Sequence, residues 1–395
     1  MKKSFSVIFV LLAFILTIGC FSGFSKTKAT FADNKNTEQI NILSKSAYLM
    51  DAHTGTVVFK QNENKQLPIA SMCKIMTLLL CFDAIENNEI AIDDVIVISK
   101  TAAGMGGSQV FLEENGEYIV GELLKSIVVA SANDACVAMA ERLCGNEESF
   151  VTKMNEKCTE LNMNNTVFVN CTGLPAAGQH STAKDVATMF AELIKHHEYF
   201  KFSKIWTDVV KHPNDRITEI SNTNKLIRFY QGCDGGKTGY TSEAGHCLAA
   251  CASRHGMRLI SVIISAPDSK TRFKEVSDLF NYGFANYTNK LIIDNKKPLS
   301  LSVKVEGGKK DTLEVVAERP LFIFSKKGEN RAIELDFNPT KKILAPVKRG
   351  EIIGKICVYE NGIMLSSVNV LANENIAEKT YFDIIKDISK NWTLI

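Results

Sequence analysis

The sequence lacks an excess of either charge: 46 Lys and Arg residues are balanced by 44 Asp and Glu residues, a formal net charge of +2 over 395 residues. Without a strong positive field, nucleic acid is not expected as a partner. The sequence also lacks an HExxH motif and a CxxC pair, and none of its seven histidines and eleven cysteines shows zinc-ligand spacing. We therefore expect neither a bound metal nor another cofactor. His196 and His197 are expected to face solvent.

The apolar run near the N-terminus is too short to span a membrane. It covers residues 7–18, about a dozen positions, whereas a helix that crosses ~30 Å of hydrocarbon needs about 20. Two lysines precede it, and a positive start followed by a short apolar run is typical of a secretory signal peptide. We predict cleavage after Ala32, so that residues 1–32 are the signal peptide and the protein is exported. A lipoprotein site at Cys20 is the alternative.

The eleven cysteines show no obvious disulfide framework. Loss of the signal peptide would remove Cys20 and leave ten, most of them in apolar stretches that predict helices or strands. Domains of this size do not need disulfides for stability. We therefore expect mostly buried free thiols that act as small apolar side chains.

Length and composition, with 45% apolar and 23% charged residues, predict a globular protein of two or three domains. Alternating apolar residues predict a β-hairpin at 45–61, and apolar residues on all sides predict a buried helix at 69–89. Further helices are predicted at 120–143, 149–161 and 274–285, and β structure at 232–266. Mixed helices and strands indicate an α/β (α+β) domain.

After residue 287 the pattern changes to short alternating runs separated by Gly, Asn and Lys. These runs extend from 299 to 370 and predict a small all-β module. From 377 to 395, apolar residues recur at steps of three and four, which predicts an amphipathic helix. Such a helix either lies on a membrane surface or packs on the β module.

The first motif with chemical potential is Ser71-Met72-Cys73-Lys74, an S-x-x-K at the start of the buried helix. Three residues apart on a helix, the serine hydroxyl and the lysine amine lie on one face. A serine hydroxyl becomes a good nucleophile only when a base takes its proton. A lysine can be that base when burial lowers its pKa. The pattern alone is weak, because it recurs at 25–28 and 181–184.

Two later motifs strengthen the prediction through their order. Ser131-Ala132-Asn133 is an S-x-N at a predicted helix boundary, about 60 residues after Ser71; a second copy begins at Ser367. Lys237-Thr238-Gly239, the only K-T-G in the chain, follows about 100 residues later at the start of an apparent strand. S-x-x-K, S-x-N and K-T-G in this order are the signature of penicillin-binding proteins and class A β-lactamases.

On these motifs the sequence resembles the D-alanyl-D-alanine carboxypeptidases of the low-molecular-mass penicillin-binding proteins. The likeness covers nearly the whole chain and includes the blocks PIASMCKIMT, SANDACVAMAE, NCTGLPAAGQHSTAKDVA and GCDGGKTGYTSEAGHCLAA. It implies a β-lactamase/transpeptidase-like catalytic domain with a central antiparallel sheet flanked by helices, at 33–287. It also implies a β-rich domain at 288–375 and a membrane-anchoring amphipathic helix at 376–395.

The resemblance further implies the reaction and its partners. Ser71 would attack the penultimate D-Ala carbonyl of a peptidoglycan stem peptide, with Lys74 as its base, and Ser131 would relay a proton to the leaving D-Ala. β-Lactam antibiotics would acylate the same serine. The enzyme would work outside the cytoplasm, at the cell membrane or cell wall.

The remaining site residues follow from the same resemblance. Asn133 would bind the substrate amide and orient the base, and Lys237 and Thr238 would hold the terminal carboxylate. Gly239 completes the strand motif, and the backbone N–H groups of Tyr240 and the nucleophilic serine would form an oxyanion hole. Arg272 would assist the carboxylate pocket.

Two alternatives remain. A β-lactamase shares the fold but needs a carboxylate that activates water, and Glu160-Leu161-Asn162-Met163-Asn164 is a near match to its E-x-x-L-N loop. We expect Glu160 to be a solvated glutamate at a helix end instead. A catalytically inactive cell-wall-binding protein is disfavoured because all three motifs are intact.

Overall fold

The structure, a computed structural model, describes residues 40–301, 303–329 and 331–392. The predicted signal peptide, residues 1–32, and both candidate processing sites lie outside these ranges. Within them, every helix is too short or too polar to cross a membrane.

A five-stranded antiparallel sheet forms the centre of the catalytic region. The strands of this region are β1 (Ser46–Asp51), β2 (Val57–Gln61), β3 (Val95–Val97), β4 (Glu117–Ile119), β5 (Thr207–Lys211), β6 (Ile217–Ser221), β7 (Cys233–Thr241), β8 (Gly245–Arg254) and β9 (Met257–Ala266). The central sheet has the order β2-β1-β9-β8-β7, and each pair is antiparallel. The predicted central antiparallel sheet is therefore confirmed, and β7, which carries K-T-G, lies at its edge.

Helices pack around this sheet and bury it. They are α1 (Lys74–Glu86), α2 (Lys100–Ala103), α3 (Val120–Ala130), α4 (Asn133–Cys144), α5 (Glu147–Glu160), α6 (Ala183–Leu193), α7 (Tyr199–Ser203), α8 (Leu226–Phe229) and α9 (Ser269–Asn286). Helix α1 is buried on nearly all sides, as its uniformly apolar sequence predicts. A 3-10 turn, Ala70–Cys73, leads directly into it.

The structure differs from the sequence predictions in this region at three points. The helix predicted at 120–143 is two helices, because Ser131 has left-handed backbone with φ 63° and ends α3. Helices α2 and α6 and the β3–β4 and β5–β6 hairpins lie in segments where the sequence patterns predict no element. His196, predicted to face solvent, lies between the carboxylates of Asp83 and Glu86, with both ring nitrogens 2.9 Å from carboxylate oxygens.

The C-terminal module is strand-rich, as predicted. Its strands are β10 (Tyr287–Ile293), β11 (Val303–Lys304), β12 (Thr312–Leu313), β13 (Val315–Ala317), β14 (Leu321–Lys326), β15 (Ile333–Pro339), β16 (Ile352–Glu360) and β17 (Ile363–Ala372). Four of them form a sheet of order β13-β17-β16-β15, and β10-β14 and β11-β12 form separate pairs. Alternating Val, Ile and Leu side chains from these strands form a core of their own.

The terminal helix, α10 (Tyr381–Trp392), begins later than the predicted residue 376. Ile376 belongs to the β module instead, since it is buried and forms a β-bridge with Val347. The helix begins at Tyr381 because Thr380 caps it: its hydroxyl accepts from the Asp383 N–H, while the Asp383 carboxylate accepts from the Thr380 N–H at 2.9 Å.

The ten cysteines of the described residues are all free, and nine of them are buried. This confirms the prediction of buried thiols. Burial raises the pKa of the thiols in the catalytic region, for example to about 12 at Cys136, so these thiols remain protonated near neutral pH.

Candidate active site

Ser71 lies in the 3-10 turn before α1, in a backbone segment packed between two glycines. A Cβ on Gly173 would lie 2.1 Å from the Ala70 carbonyl oxygen, and one on Gly239 would lie 3.2 Å from the Ser71 nitrogen. Ala70 itself adopts φ 47°, in the left-handed region. The loop that carries Gly173 and the edge strand β7 therefore hold the Ser71 backbone from two sides.

Lys74 is the immediate partner of this serine. Its Nζ donates to Ser71 Oγ at 3.0 Å and to the Thr172 carbonyl at 2.5 Å, and the side chain is fully buried. Burial lowers the pKa of Lys74, because the charged form loses its hydration. A neutral amine 3.0 Å from a serine hydroxyl can accept the hydroxyl proton.

A second serine–lysine pair lies beside the first. Ser131, in left-handed conformation between α3 and α4, accepts a hydrogen bond from Lys237 Nζ at 2.8 Å. Lys237 also donates to the Thr238 carbonyl at 3.0 Å and is buried. Burial first, and then the charges of Lys74 and Arg272, lower the pKa of Lys237 well below its ordinary value.

Asn133 begins α4 and is also buried. Its Nδ2 donates to the Gly106 carbonyl at 2.6 Å, whereas its Oδ1 is buried without a hydrogen-bond partner. An orphaned buried acceptor is costly, so it marks a place where a donor from a ligand fits. The hydrogen bonds of Lys74 go to Ser71 and Thr172, so the structure does not join Asn133 directly to the base.

Strand β7 supplies the remaining candidate residues. Thr238 is buried, while the Tyr240 ring is 59% exposed and stacks on His246 at 4.4 Å between ring centroids. Arg272, in the first turn of α9, is only 9% exposed. Its Nη1 donates to the carbonyls of Gly239 at 3.1 Å and Cys247 at 3.3 Å. Arg272 thus ties α9 to the strand that carries K-T-G.

The loop at 170–174 provides the second hydrogen-bond acceptor for Lys74, the Thr172 carbonyl, and none of the three motifs predicts this role. Asn170 organises this loop, since its Oδ1 accepts from the Gly173 N–H at 2.7 Å. Thr77, one turn along α1, donates to the Cys171 carbonyl at 2.7 Å. The residues NCTG belong to one of the blocks that carry the family likeness, but the role of a backbone carbonyl leaves no signal in residue type.

Glu160 lies away from these residues. It ends α5, is 66% exposed at its side chain and pairs with Lys157 at 3.1 Å. Lys157 also pairs with Asp83, nine positions after Lys74 on α1 and so about 13 Å along the helix. This confirms the prediction of a solvated helix-end glutamate.

Paired serines and lysines with depressed lysine pKa values, set at the edge of an antiparallel sheet, define a serine hydrolase of the penicillin-binding-protein class. Residues 33–268 match the family model of D-alanyl-D-alanine carboxypeptidases, and residues 287–378 match that of the penicillin-binding protein 5 C-terminal domain. The chain belongs to the D-alanyl-D-alanine carboxypeptidase family.

Individual relatives agree with this assignment. D-alanyl-D-alanine carboxypeptidase DacF of Bacillus subtilis is 38% identical over 91% of this chain and 93% of its own length. DacC of Escherichia coli is 30% identical over 90% of both chains. The crystal structure of penicillin binding protein 5 from Haemophilus influenzae superposes with a TM-score of 0.67 at 30% identity, over 86% of this chain and 98% of that one.

Proposed function

We propose that this protein is a serine-type D-Ala-D-Ala carboxypeptidase that removes the terminal D-Ala from peptidoglycan stem pentapeptides, and that β-lactams inhibit it covalently. The observation that carries the proposal is the 3.0 Å hydrogen bond between Ser71 Oγ and the buried Lys74 amine. The neighbouring Ser131–Lys237 pair provides the second proton-transfer group that amide cleavage requires.

In the first half of the reaction, neutral Lys74 takes the proton of Ser71 as Oγ attacks the carbonyl of the penultimate D-Ala. The negative charge that develops on the carbonyl oxygen is stabilised by the backbone N–H groups of Ser71 and Tyr240. Because Gly239 lies against the Ser71 backbone, these two groups belong to adjoining segments.

In the second half, the C–N bond breaks and the leaving D-Ala amine needs a proton. Lys237 supplies this proton, and Ser131 passes it to the amine. Lys237 and the Thr238 hydroxyl hold the terminal carboxylate, and Arg272, which donates to the Gly239 carbonyl, adds positive charge. The free Oδ1 of Asn133 accepts the substrate amide N–H. Water then hydrolyses the ester on Ser71 and regenerates the hydroxyl.

The test is incubation with Nα,Nε-diacetyl-Lys-D-Ala-D-Ala, alongside labelled penicillin. We expect release of D-Ala and a stable penicillin label, both lost in Ser71→Ala. The β-lactamase alternative predicts rapid penicillin hydrolysis without D-Ala release. The exposure of Glu160 and its pairing with Lys157 disfavour that alternative, because a deacylating carboxylate must reach the ester.

We further propose that residues 1–32 direct export and that the catalytic segment covers 33–287. The β-rich segment then extends from 288 to the residue before Tyr381, where the terminal helix begins, and this helix binds the membrane surface. On α10, Tyr381 and Phe382 are 75% and 81% exposed, and Ile384 and Ile385 are each 46% exposed. Exposed aromatic and aliphatic side chains on an amphipathic helix suit an interfacial position.

Deletion of residues 381–395 should move the protein from the membrane fraction to the soluble fraction, with penicillin acylation retained as the control for folding. Retention of the truncated protein in the membrane fraction would contradict the anchor. It would leave the proposed reaction untouched.

A further inference from the structure

The segment at 105–113, between α2 and β4, contains neither helix nor strand and lies directly against Asn133. The Gly106 carbonyl accepts from Asn133 Nδ2 at 2.6 Å, and the Ser108 carbonyl accepts from the Asn133 backbone N–H at 2.7 Å. A Cβ added at Gly107, between these two residues, would lie 2.8 Å from Asn133 Nδ2. The segment therefore contacts the nitrogen end of the amide, and Oδ1 is the end left for a ligand.

Asp134, the residue after Asn133, holds the same segment further along the chain. Its carboxylate is buried, and Oδ2 accepts from the N–H groups of Val110 and Leu112 at 3.1 Å each. Oδ1 accepts from the N–H of Ala135, within α4, at 3.0 Å. Because a buried carboxylate is costly unless its oxygens are hydrogen-bonded, these contacts fix the segment against the start of α4.

The residue between the two held N–H groups is strained. Phe111 has left-handed backbone with φ 63°, and 56% of its side chain is exposed. A bulky residue adopts this conformation only where the surrounding contacts impose it. Those contacts are made by backbone groups: Asp134 accepts from the flanking N–H groups, and Arg216 donates to the Phe111 carbonyl. Without the Asp134 carboxylate, we expect the segment to relax to another conformation.

We propose that Asp134 is a positioning residue, which holds the segment at 105–113 so that the segment fixes which end of the Asn133 amide faces the substrate. The inference rests on the proposed function, in which Asn133 Oδ1 accepts a substrate N–H. If the segment moves, the amide can turn and present Nδ2 to that N–H, and two donors form no hydrogen bond. Asp134 acts through Asn133 and does not itself contact the substrate.

The test compares kcat/KM for D-Ala release from two peptides. One is Nα,Nε-diacetyl-Lys-D-Ala-D-Ala. In the other, an ester oxygen replaces the N–H of the penultimate D-Ala, so the scissile amide is kept and one donor is lost. For the natural protein we expect kcat/KM to be about fivefold to a hundredfold lower for the ester, because the buried Oδ1 of Asn133 then lacks its partner.

In Asp134→Asn this ratio should fall towards one, because cleavage of the all-amide peptide slows while cleavage of the ester changes little. Asp185→Asn is the matched control. Asp185, on α6, is 4% exposed and also accepts from a loop N–H, that of Asn165 at 3.2 Å. This variant loses a buried carboxylate of the same kind and should keep the ratio of the natural protein.

Gly107→Ala tests the same segment without changing a buried charge. Its added Cβ meets Asn133 Nδ2, so the ratio should fall here too. Gly145→Ala, which shares the left-handed backbone but has nothing within 4 Å of the added Cβ, should keep the ratio. If Asp134→Asn does not fold, as loss of the penicillin label would show, Gly107→Ala decides, and an unchanged ratio there overturns the inference.

A ratio that Asp134→Asn leaves unchanged, or that falls equally in Asp185→Asn, would overturn the inference while the proposed function stands. Equal kcat/KM for the two peptides in the natural protein would do the same. Release of D-Ala from neither peptide by the natural protein would overturn the proposed function as well.

Discussion

Gly173→Ala tests whether the loop at 170–174 holds the nucleophile in place. Gly173 adopts φ 78°, and a Cβ there would lie 2.1 Å from the Ala70 carbonyl oxygen and 2.5 Å from the carbonyl carbon. Since real Cβ atoms essentially never approach closer than 3.0 Å, the loop and the Ser71 turn must separate by about 1 Å. A shift of this size at a reacting group can lower a rate about 100-fold.

The variant combines this clash with the ~1–2 kcal/mol cost of left-handed backbone for a residue that has a Cβ. Gly145→Ala separates the two effects, because Gly145 adopts φ 80° but has nothing within 4 Å of the added Cβ. We expect both variants to unfold more easily. Only Gly173→Ala should lose about two orders of magnitude in the second-order rate of acylation by a fluorescent penicillin. Similar acylation rates in the two variants would refute the positioning role of the loop.

Three further predictions concern the site and the thiols. Burial lowers the pKa of Lys74. The acylation rate should therefore rise with pH as this amine loses its proton, and it should level off at a pH below the range in which an exposed lysine titrates. A rate that still rises in that range would contradict a neutral Lys74 as the base. Ser131→Ala should lower the acylation rate by about 10²–10⁴-fold with the fold intact, whereas Ser367→Ala, in the second S-x-N, should match the natural protein in the same assay. Thiol titration of the native protein should detect Cys144, the half-buried cysteine. Cys136 and the other buried thiols should react only after denaturation. Fewer than ten reactive thiols in denaturant without reductant would reveal disulfides.

Much of the fold could be predicted because local pattern and burial agree. Helix α1 has apolar residues on every side, and it is buried on nearly every side. Strands β8 and β9 are long runs of small and β-branched residues, and they lie in the middle of the central sheet. The S-x-x-K pair could be placed as well, since helical spacing alone brings Ser71 and Lys74 onto one face.

The rest depended on contacts between segments that are distant in sequence. The 2.5 Å bond from Lys74 to Thr172 joins residues 98 positions apart and involves a backbone carbonyl. The break between α3 and α4 depends on a left-handed Ser131, which tertiary packing imposes on a residue with no intrinsic preference for it. His196 was misplaced because its carboxylate partners lie on α1, more than 100 positions earlier.

The most direct test of the central claim is to map the residue that carries the acyl group. After brief incubation with penicillin, proteolysis and mass spectrometry should locate the adduct on Ser71. Ser71→Ala should carry no adduct. Ser71→Cys places a thiol at the same position, and an adduct on this thiol would be a second check on the position of the nucleophile. An adduct on Ser131 or on Ser181, the serine of another S-x-x-K copy, would contradict the assignment of Ser71 as the nucleophile.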